Sequence, residues 1–293
     1  MEDSASPLML RWRLRRELRT ARLNSNLTQK QVAEAMEWSL SKMNRIEKAK
    51  SGISINDLRA LLPLYGITDK EQAEALFDLG RAVGRAKGGR RDQWWRHYTE
   101  VAPAKLLELL DYESAASGVS QFETIFAPGI LQTEEYASAV LQVFYDGKSS
   151  ANRVAPLVDL RTRRRDLLTS EDAPKFAFVL DESVIHRMVG SPSIMSQQLQ
   201  YLAQAAERPN VTIQIVPFTA GLHSGMKQSF ELIQFAETPD ENIVFLESPR
   251  GDFISDDPEE TQNYLEAFGS ITAVSLSPSE SFARLRKAAS EMA

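Results

Sequence analysis

Residues 27–51, LTQKQVAEAMEWSLSKMNRIEKAKS, constrain this chain more than any other stretch, because they spell two short helices joined by a tight turn. Thr28 is placed to cap the first helix, and Gln31 three residues later completes a capping box. Val32, Ala33 and Met36 form an apolar stripe at helical spacing, with alanine where a second helix must come close. Ser39 is placed to cap the second helix. Its inner face is expected to be Leu40, Met43 and Ile46, and its outer face Ser41, Lys42, Asn44, Arg45 and Lys48.

Two such helices could simply belong to a bundle, with their charges facing water. The outer face argues for more, since amide, hydroxyl and guanidinium groups along one helix match the hydrogen-bonding edges of a DNA major groove. The expectation is a helix-turn-helix reader in which Ser39, Ser41, Lys42, Asn44 and Arg45 face the groove. Asn44 and Arg45 are the best suited to base edges, while Gln29, Lys48, Lys50 and Arg19 hold phosphates. Thr28-Gln29, Val32-Ala33, Ser39 and Arg45-Ile46-Glu47 together resemble the XRE (Cro/C1-type) repressor family. Glu37 departs from that pattern, for many relatives place a glycine there to end the first helix in a left-handed conformation.

Charge is segregated along the chain. Residues 1–105 carry 20 Lys and Arg against 13 Asp and Glu, while residues 106–293 carry 14 against 27, so the net −6 joins a basic head to an acidic body. That division suits a DNA-binding head on a body that phosphate repels. The absence of cysteine excludes disulfides, thiol catalysis and cysteine-ligated zinc. No apolar run is long enough to span a membrane, and the arginine-rich start lacks a hydrophobic core region, so a cytoplasmic, nucleoid-associated protein is expected.

The expected fold class is α+β, with an all-helical helix-turn-helix domain followed by a mixed domain around a small sheet. The expected boundaries are 1–84 for the head, 85–103 for a linker containing Trp94-Trp95, and 104–293 for the body. Residues 1–8 read as a disordered lead-in. Leu10, Leu14, Leu18 and Ala21 then mark a helix over 9–23, with Arg11, Arg15, Arg16, Arg19 and Arg22 on its surface. Arg19 and Arg22, near its end, are candidates for phosphate contact. Gly88-Gly89 suggest a hinge, and the paired tryptophans suggest a segment that docks on a core. In the body, 175–180, 211–218, 229–235 and 242–247 read as strands. Alternation in VTIQIV and FELIQF predicts one covered and one partly exposed sheet face. Helices are expected over 104–116, 134–145, 156–169 (with Arg161 and Arg163 to Arg165 solvated), 192–207, 257–272 and from 277 onward.

Residues for catalysis are thin. His97, His186 and His223 lack metal-ligand spacing, and His223-Ser224 are neighbours whose side chains point apart on an extended chain. Asp181-Glu182 and the acids of 256–260 read as helix starts rather than metal ligands. No enzyme, metal or cofactor is therefore expected. PGILQT (128–133) with Tyr136-Ala137, DESVIHRMVG (181–190), Gln198-Leu199 with Leu202, and ERPNVTIQIVPF (207–218) form an ordered series. GLHSG (221–225), SFELIQF (229–235), VFLES (244–248) and LSPSES (276–281) continue it. Over residues 106–286 the series resembles the C-terminal domain of WhiJ-like regulators, an antitoxin-like domain of the Scr type. The resemblance implies a DNA-binding transcription regulator whose body senses a ligand or a small protein partner encoded by a neighbouring gene. Arg161 and Arg163 to Arg165 would suit an acidic partner, and a homodimer is expected because one short helix reads too few base pairs for a useful specificity ratio. The alternative is an antitoxin-like module that sequesters its partner, with DNA binding as secondary autoregulation.

Overall fold

The computed structural model describes residues 7–47, 52–86, 94–145, 151–236, 242–248 and 251–293. They fall into two units, Met1–Gln93 and Trp94–Ala293. Residues 1–6 of the expected lead-in, the glycines at 88 and 89, Lys48 and Lys50 lie outside the described residues, while Pro7 and Leu8 begin the first helix rather than extending the lead-in.

The first unit is built from α1 (Pro7–Asn24), α2 (Gln29–Ala35), α3 (Leu40–Glu47), α4 (Ile55–Leu64) and α5 (Lys70–Ala86). Its core joins Leu14 and Leu18 of α1 to Val32, Ala33 and Met43, and to Leu58, Leu61, Leu62, Leu76 and Val83. Three helices end in the same way. After α1, α2 and α4 the chain turns through a residue with positive φ, and the next amide reaches back to the final turn. Leu27 N–H reaches Arg22 O at 3.2 Å, Trp38 N–H reaches Ala33 O at 2.8 Å, and Ile67 N–H reaches Leu62 O at 3.0 Å. The turning residues are Asn26 (φ 55°), Glu37 (φ 54°) and Gly66 (φ 73°). Glu37 thus adopts the left-handed conformation that glycine takes more cheaply.

The second unit starts with a 3-10 turn, Trp94–Tyr98, whose Trp95 and Tyr98 pack on Leu110, Leu141, Leu157 and Leu160. The Trp95 indole N–H donates to Asp111 at 3.1 Å. Then follow α6 (Ala104–Glu113), β1 (Gly118–Glu123), α7 (Glu134–Phe144), α8 (Ala151–Arg164), β2 (Lys175–Asp181), α9 (Glu182–His186) and α10 (Pro192–Ala206). After β3 (Val211–Val216) come β4 (Phe230–Gln234), β5 (Ile243–Leu246), β6 (Phe253–Ser255), α11 (Pro258–Ala273) and α12 (Pro278–Glu291). The unit is α+β. Its six strands run in the order β3-β2-β1-β4-β5-β6, parallel from β1 to β3 and antiparallel from β1 through β4 to β6.

Four observations correct the sequence expectations. β1 and β6 were not expected. GVSQFE has no apolar alternation, yet it is a central strand because Val119 and Phe122 each fill one face. Neither face of β4 is left partly exposed, since Phe230, Glu231, Leu232 and Ile233 are all buried. Phe176, Phe178, Leu180, Ile213 and Ile215 pack with Leu199, Leu202, Leu285 and Ala288 of α10 and α12. On the opposite face Phe122, Val179, Phe230, Leu232 and Val244 pack with Ile271 and Phe268 of α11. Finally, α8 starts five residues before Pro156. Burial of Leu157, Val158 and Leu160 in the cluster around Trp95 offsets the hydrogen bond the proline cannot make.

Candidate nucleic-acid interface

The Thr28 hydroxyl accepts from Gln31 N–H at 3.2 Å and the Gln31 side chain accepts from Thr28 N–H at 2.8 Å, so the capping box forms. Ser39 Oγ accepts from Lys42 N–H at 3.1 Å, which starts α3. Met43 and Ile46 anchor α3 in the core. Leu40 does not join them. It is 51 % exposed, which corrects its expected place on the inner face. The helix turns Ser41 and Arg45 outward, while Asn44 and Lys42 flank them half-buried. Residues four apart lie on one side of a helix, so Ser41 with Arg45, and Leu40 with Asn44, form two adjacent rows.

Not every predicted contact residue is equally available. The Lys42 ammonium lies 3.9 Å from the centre of the Trp38 ring and 3.3 Å from Asp57 Oδ2, so it is held against the head. Gln29 Nε2 donates to Glu47 Oε2 at 2.6 Å. Arg19 is half-buried on α1, and Lys48 and Lys50 lie outside the described residues.

Arg22 is no phosphate ligand. Its guanidinium is buried, donating to both Glu47 oxygens and, through Nη1, to Leu27 O at 2.6 Å. Arg15 is buried too, over the Trp12 ring, so the arginines of α1 do not all lie on the surface. In the sequence, Glu47 stands out only as part of Arg45-Ile46-Glu47. An acid closing an otherwise apolar inner face was the available signal that a buried cation lay opposite. Burial and the Glu47 carboxylate push the nearby Tyr65 phenol upward in pKa.

In the body, Gly129–Leu131 of the segment 128–133 fold as a 3-10 turn beside Arg161 and Arg164 of α8. Gln132 Nε2 donates to Ala127 O at 2.8 Å, and its Oε1 accepts from Arg161 Nη1 at 2.7 Å. Gln198 bridges Leu131 O and Thr133 N–H, both at 2.7 Å. Beneath the turn, Arg164 donates to both oxygens of Glu113 (2.7 and 2.6 Å) and to Glu231 of β4 at 3.3 Å. A β-carbon on Gly129 would lie 3.3 Å from Arg164 Nη1, so glycine lets the turn close over the guanidinium. The expectation of a solvated arginine face on α8 is therefore corrected. Arg164 is buried and Arg161 is bonded inward, whereas Arg163 pairs with Asp159 at the surface. Burial, then the neighbouring Glu113 carboxylate, push Glu231 well above its ordinary range. On neighbouring β1, whose Gln121 lies opposite Glu231, withdrawal from water and the Glu247 carboxylate push Glu123 up to about 8.

Other segments of the ordered series have structural roles as well. Asp181 caps α9 through Ser183 N–H at 2.9 Å, and Glu182 accepts from Phe218 N–H at 2.6 Å and from Arg284. A β-carbon on Gly225 would fall 2.4 Å from the Phe122 ring. His223 Nδ1 accepts from Gly225 N–H at 3.3 Å while the Ser224 hydroxyl donates to Ala267 O at 3.3 Å, so the two side chains serve different partners. Among the described residues, no three His, Asp or Glu side chains gather as metal ligands. No helix among them is long and apolar enough to cross a membrane.

Residues 106–287 match the family model described as Domain of unknown function (DUF5753). The chain belongs to that family. Residues 13–76, which contain α2, α3 and their turn, match a helix-turn-helix domain, and that domain marks the DUF5753 chain as a DNA-binding regulator. No curated protein and no solved structure matches the chain. The DUF5753 domain spans the sheet, the 128–133 turn and the Glu113–Arg164–Glu231 cluster. Its boundaries leave the Trp94–Tyr98 turn outside.

Proposed function

We propose that the chain is a sequence-specific transcription regulator of the XRE type that binds double-stranded DNA as a homodimer, with no catalytic role and no cofactor. The observation that carries this reading is the outward row of Ser41 and Arg45, flanked by Asn44, on a helix fixed from below by Met43, Ile46 and Glu47. Asn44 and Arg45 pair with base edges, Ser39 and Ser41 line the groove, and Arg19, Lys48 and Lys50 contact phosphates, whereas Lys42 and Gln29 are held by Asp57 and Glu47. Dimerisation follows because one short helix reads too few base pairs to compete with the rest of a genome. A two-fold dimer places its half-sites about one DNA turn apart, roughly 34 Å.

The body is the sensing part, with the antitoxin-like role of a WhiJ-like domain. Phe218, Leu222 and Met226 stand exposed on the segment between β3 and β4, Leu222 at 93 %, which favours a protein partner. Should that partner bind without altering DNA affinity, sequestration rather than regulation is the body's main task.

The test is selection of bound fragments from sheared host DNA, beside Arg45→Ala. Recovery of an inverted motif that the variant loses supports the reading. Loss of the base contact costs about 1–3 kcal/mol and relaxes preference at one position. Unchanged affinity and preference in Arg45→Ala would overturn the docking, and sedimentation as monomer on the selected site would overturn the dimer.

A further inference from the structure

We infer that Leu40 is a specificity-determining residue which reads the 5-methyl group of a thymine in the major groove. The inference rests on the reading of α3 as the groove element and adds a residue that its polar face did not include. Leu40 is the first residue of α3, directly after the Ser39 cap. Helices of this motif present their N-terminal residues to base edges. Side chains lean toward the helix N-terminus, which carries Leu40 further toward the edge of the head.

Helix geometry would let Leu40 turn inward, as its spacing to Met43 suggests, but it stays 51 % exposed while Met43 is 1 % and Ile46 4 % exposed. On the row it shares with Asn44, Leu40 lies one helical turn nearer the start of the helix. An amide at Asn44 is suited to adenine, and an apolar side chain beside it has one complementary group in the major groove, the thymine methyl. Water leaves both surfaces when they meet, and the gain is that of one buried methyl, roughly fourfold in affinity.

The test uses the duplex recovered by selection with the full chain. Each thymine is replaced in turn by deoxyuridine, which removes only the methyl, and binding is measured for wild type, Leu40→Ala and Leu40→Met. The expected result is one thymine per half-site whose replacement weakens wild type about fourfold, the worth of one methyl. Leu40→Ala should bind both duplexes alike, and Leu40→Met should regain the sensitivity. Wild type indifferent to every replacement overturns the inference, as does Leu40→Ala that stays sensitive, or a selected site with no thymine in either half. Those outcomes leave the DNA reading standing, because a site was selected. If no duplex is selected, the reading of α3 falls and the inference falls with it.

Discussion

Arg22 Nε donates to Glu47 Oε1 at 2.5 Å and Nη2 donates to Oε2 at 3.1 Å, which locks the last residue of α3 to the end of α1. Gln29 Nε2 meets the same carboxylate at 2.6 Å, so one acid gathers α1, α2 and α3. A buried pair adds little over an apolar substitute, but breaking it strands a charge. Glu47→Ala should therefore destabilise the head by about 3–5 kcal/mol in denaturant titration, and Glu47→Gln by less. A loss below about 1 kcal/mol would show that water reaches Arg22 and that the pair does not set the helix angle.

Glu37 holds φ at 54° in the turn between α2 and α3, while its amide and that of Trp38 close the end of α2. A left-handed conformation costs a non-glycine residue about 1–2 kcal/mol, and the larger unfolded-state entropy of glycine returns about 0.5–1 of it. Glu37→Gly should stabilise the head by up to about 1 kcal/mol without altering sequence preference. Glu37→Ala keeps the strain and should gain nothing. A lower melting temperature for Glu37→Gly would mean that the glutamate side chain contributes more than its backbone costs.

The head was more legible in the sequence than the body, for physical reasons. Thr28, Gln31 and Ser39 act on neighbours within three residues, so spacing alone revealed their caps. Leu40 and Arg22 misled because an apolar or charged residue at a helical position does not say whether a partner waits across the fold. Glu47 is 25 residues from Arg22, and Glu231 is 67 from Arg164. Strand β1 stayed hidden because Gln121 and Glu123 sit on a buried face among other polar groups, which breaks the alternation that marks a strand. The motifs of the body were visible as an ordered series and the Asp181 helix start was legible in it, but the turn at Gly129 and the close approach at Gly225 emerged only from packing.

Arg164 is the sole guanidinium bonded to both Glu113 and Glu231 among the described residues, and all three are buried. Arg164→Met should cost about 3–5 kcal/mol, because two carboxyl groups are left facing each other with no cation. Combining it with Glu113→Leu should return part of that loss, since it removes one of the two stranded carboxyls and leaves Glu231 without a carboxyl facing it. Calorimetry on the two variants decides the matter. Equal losses in the single and double variants would place the destabilisation in lost packing rather than in stranded charge.

Glu123 yields the last prediction, a slope with pH. Its Oε1 accepts from Gln121 Nε2 at 2.8 Å, and its pKa is pushed up to about 8 by withdrawal from water and by Glu247. Unfolded, the same carboxyl titrates near its ordinary value of 4.5. Between these values the folded chain holds a proton that the unfolded chain has released, so stability is greatest below the lower value and declines as pH rises toward 8. The raised Glu231 acts in the same sense. Glu123→Gln presents a permanently neutral group of the same shape, and should flatten the decline in melting temperature between pH 5 and pH 8. It should also melt higher than wild type at pH 8, where the native carboxyl is partly ionised, and match it near pH 4.5. A variant whose melting temperature falls as steeply as that of wild type would mean that Glu123 is ionised in the folded chain throughout this range, and that the slope belongs to the other raised carboxyls, Glu231, Glu247 and Asp252.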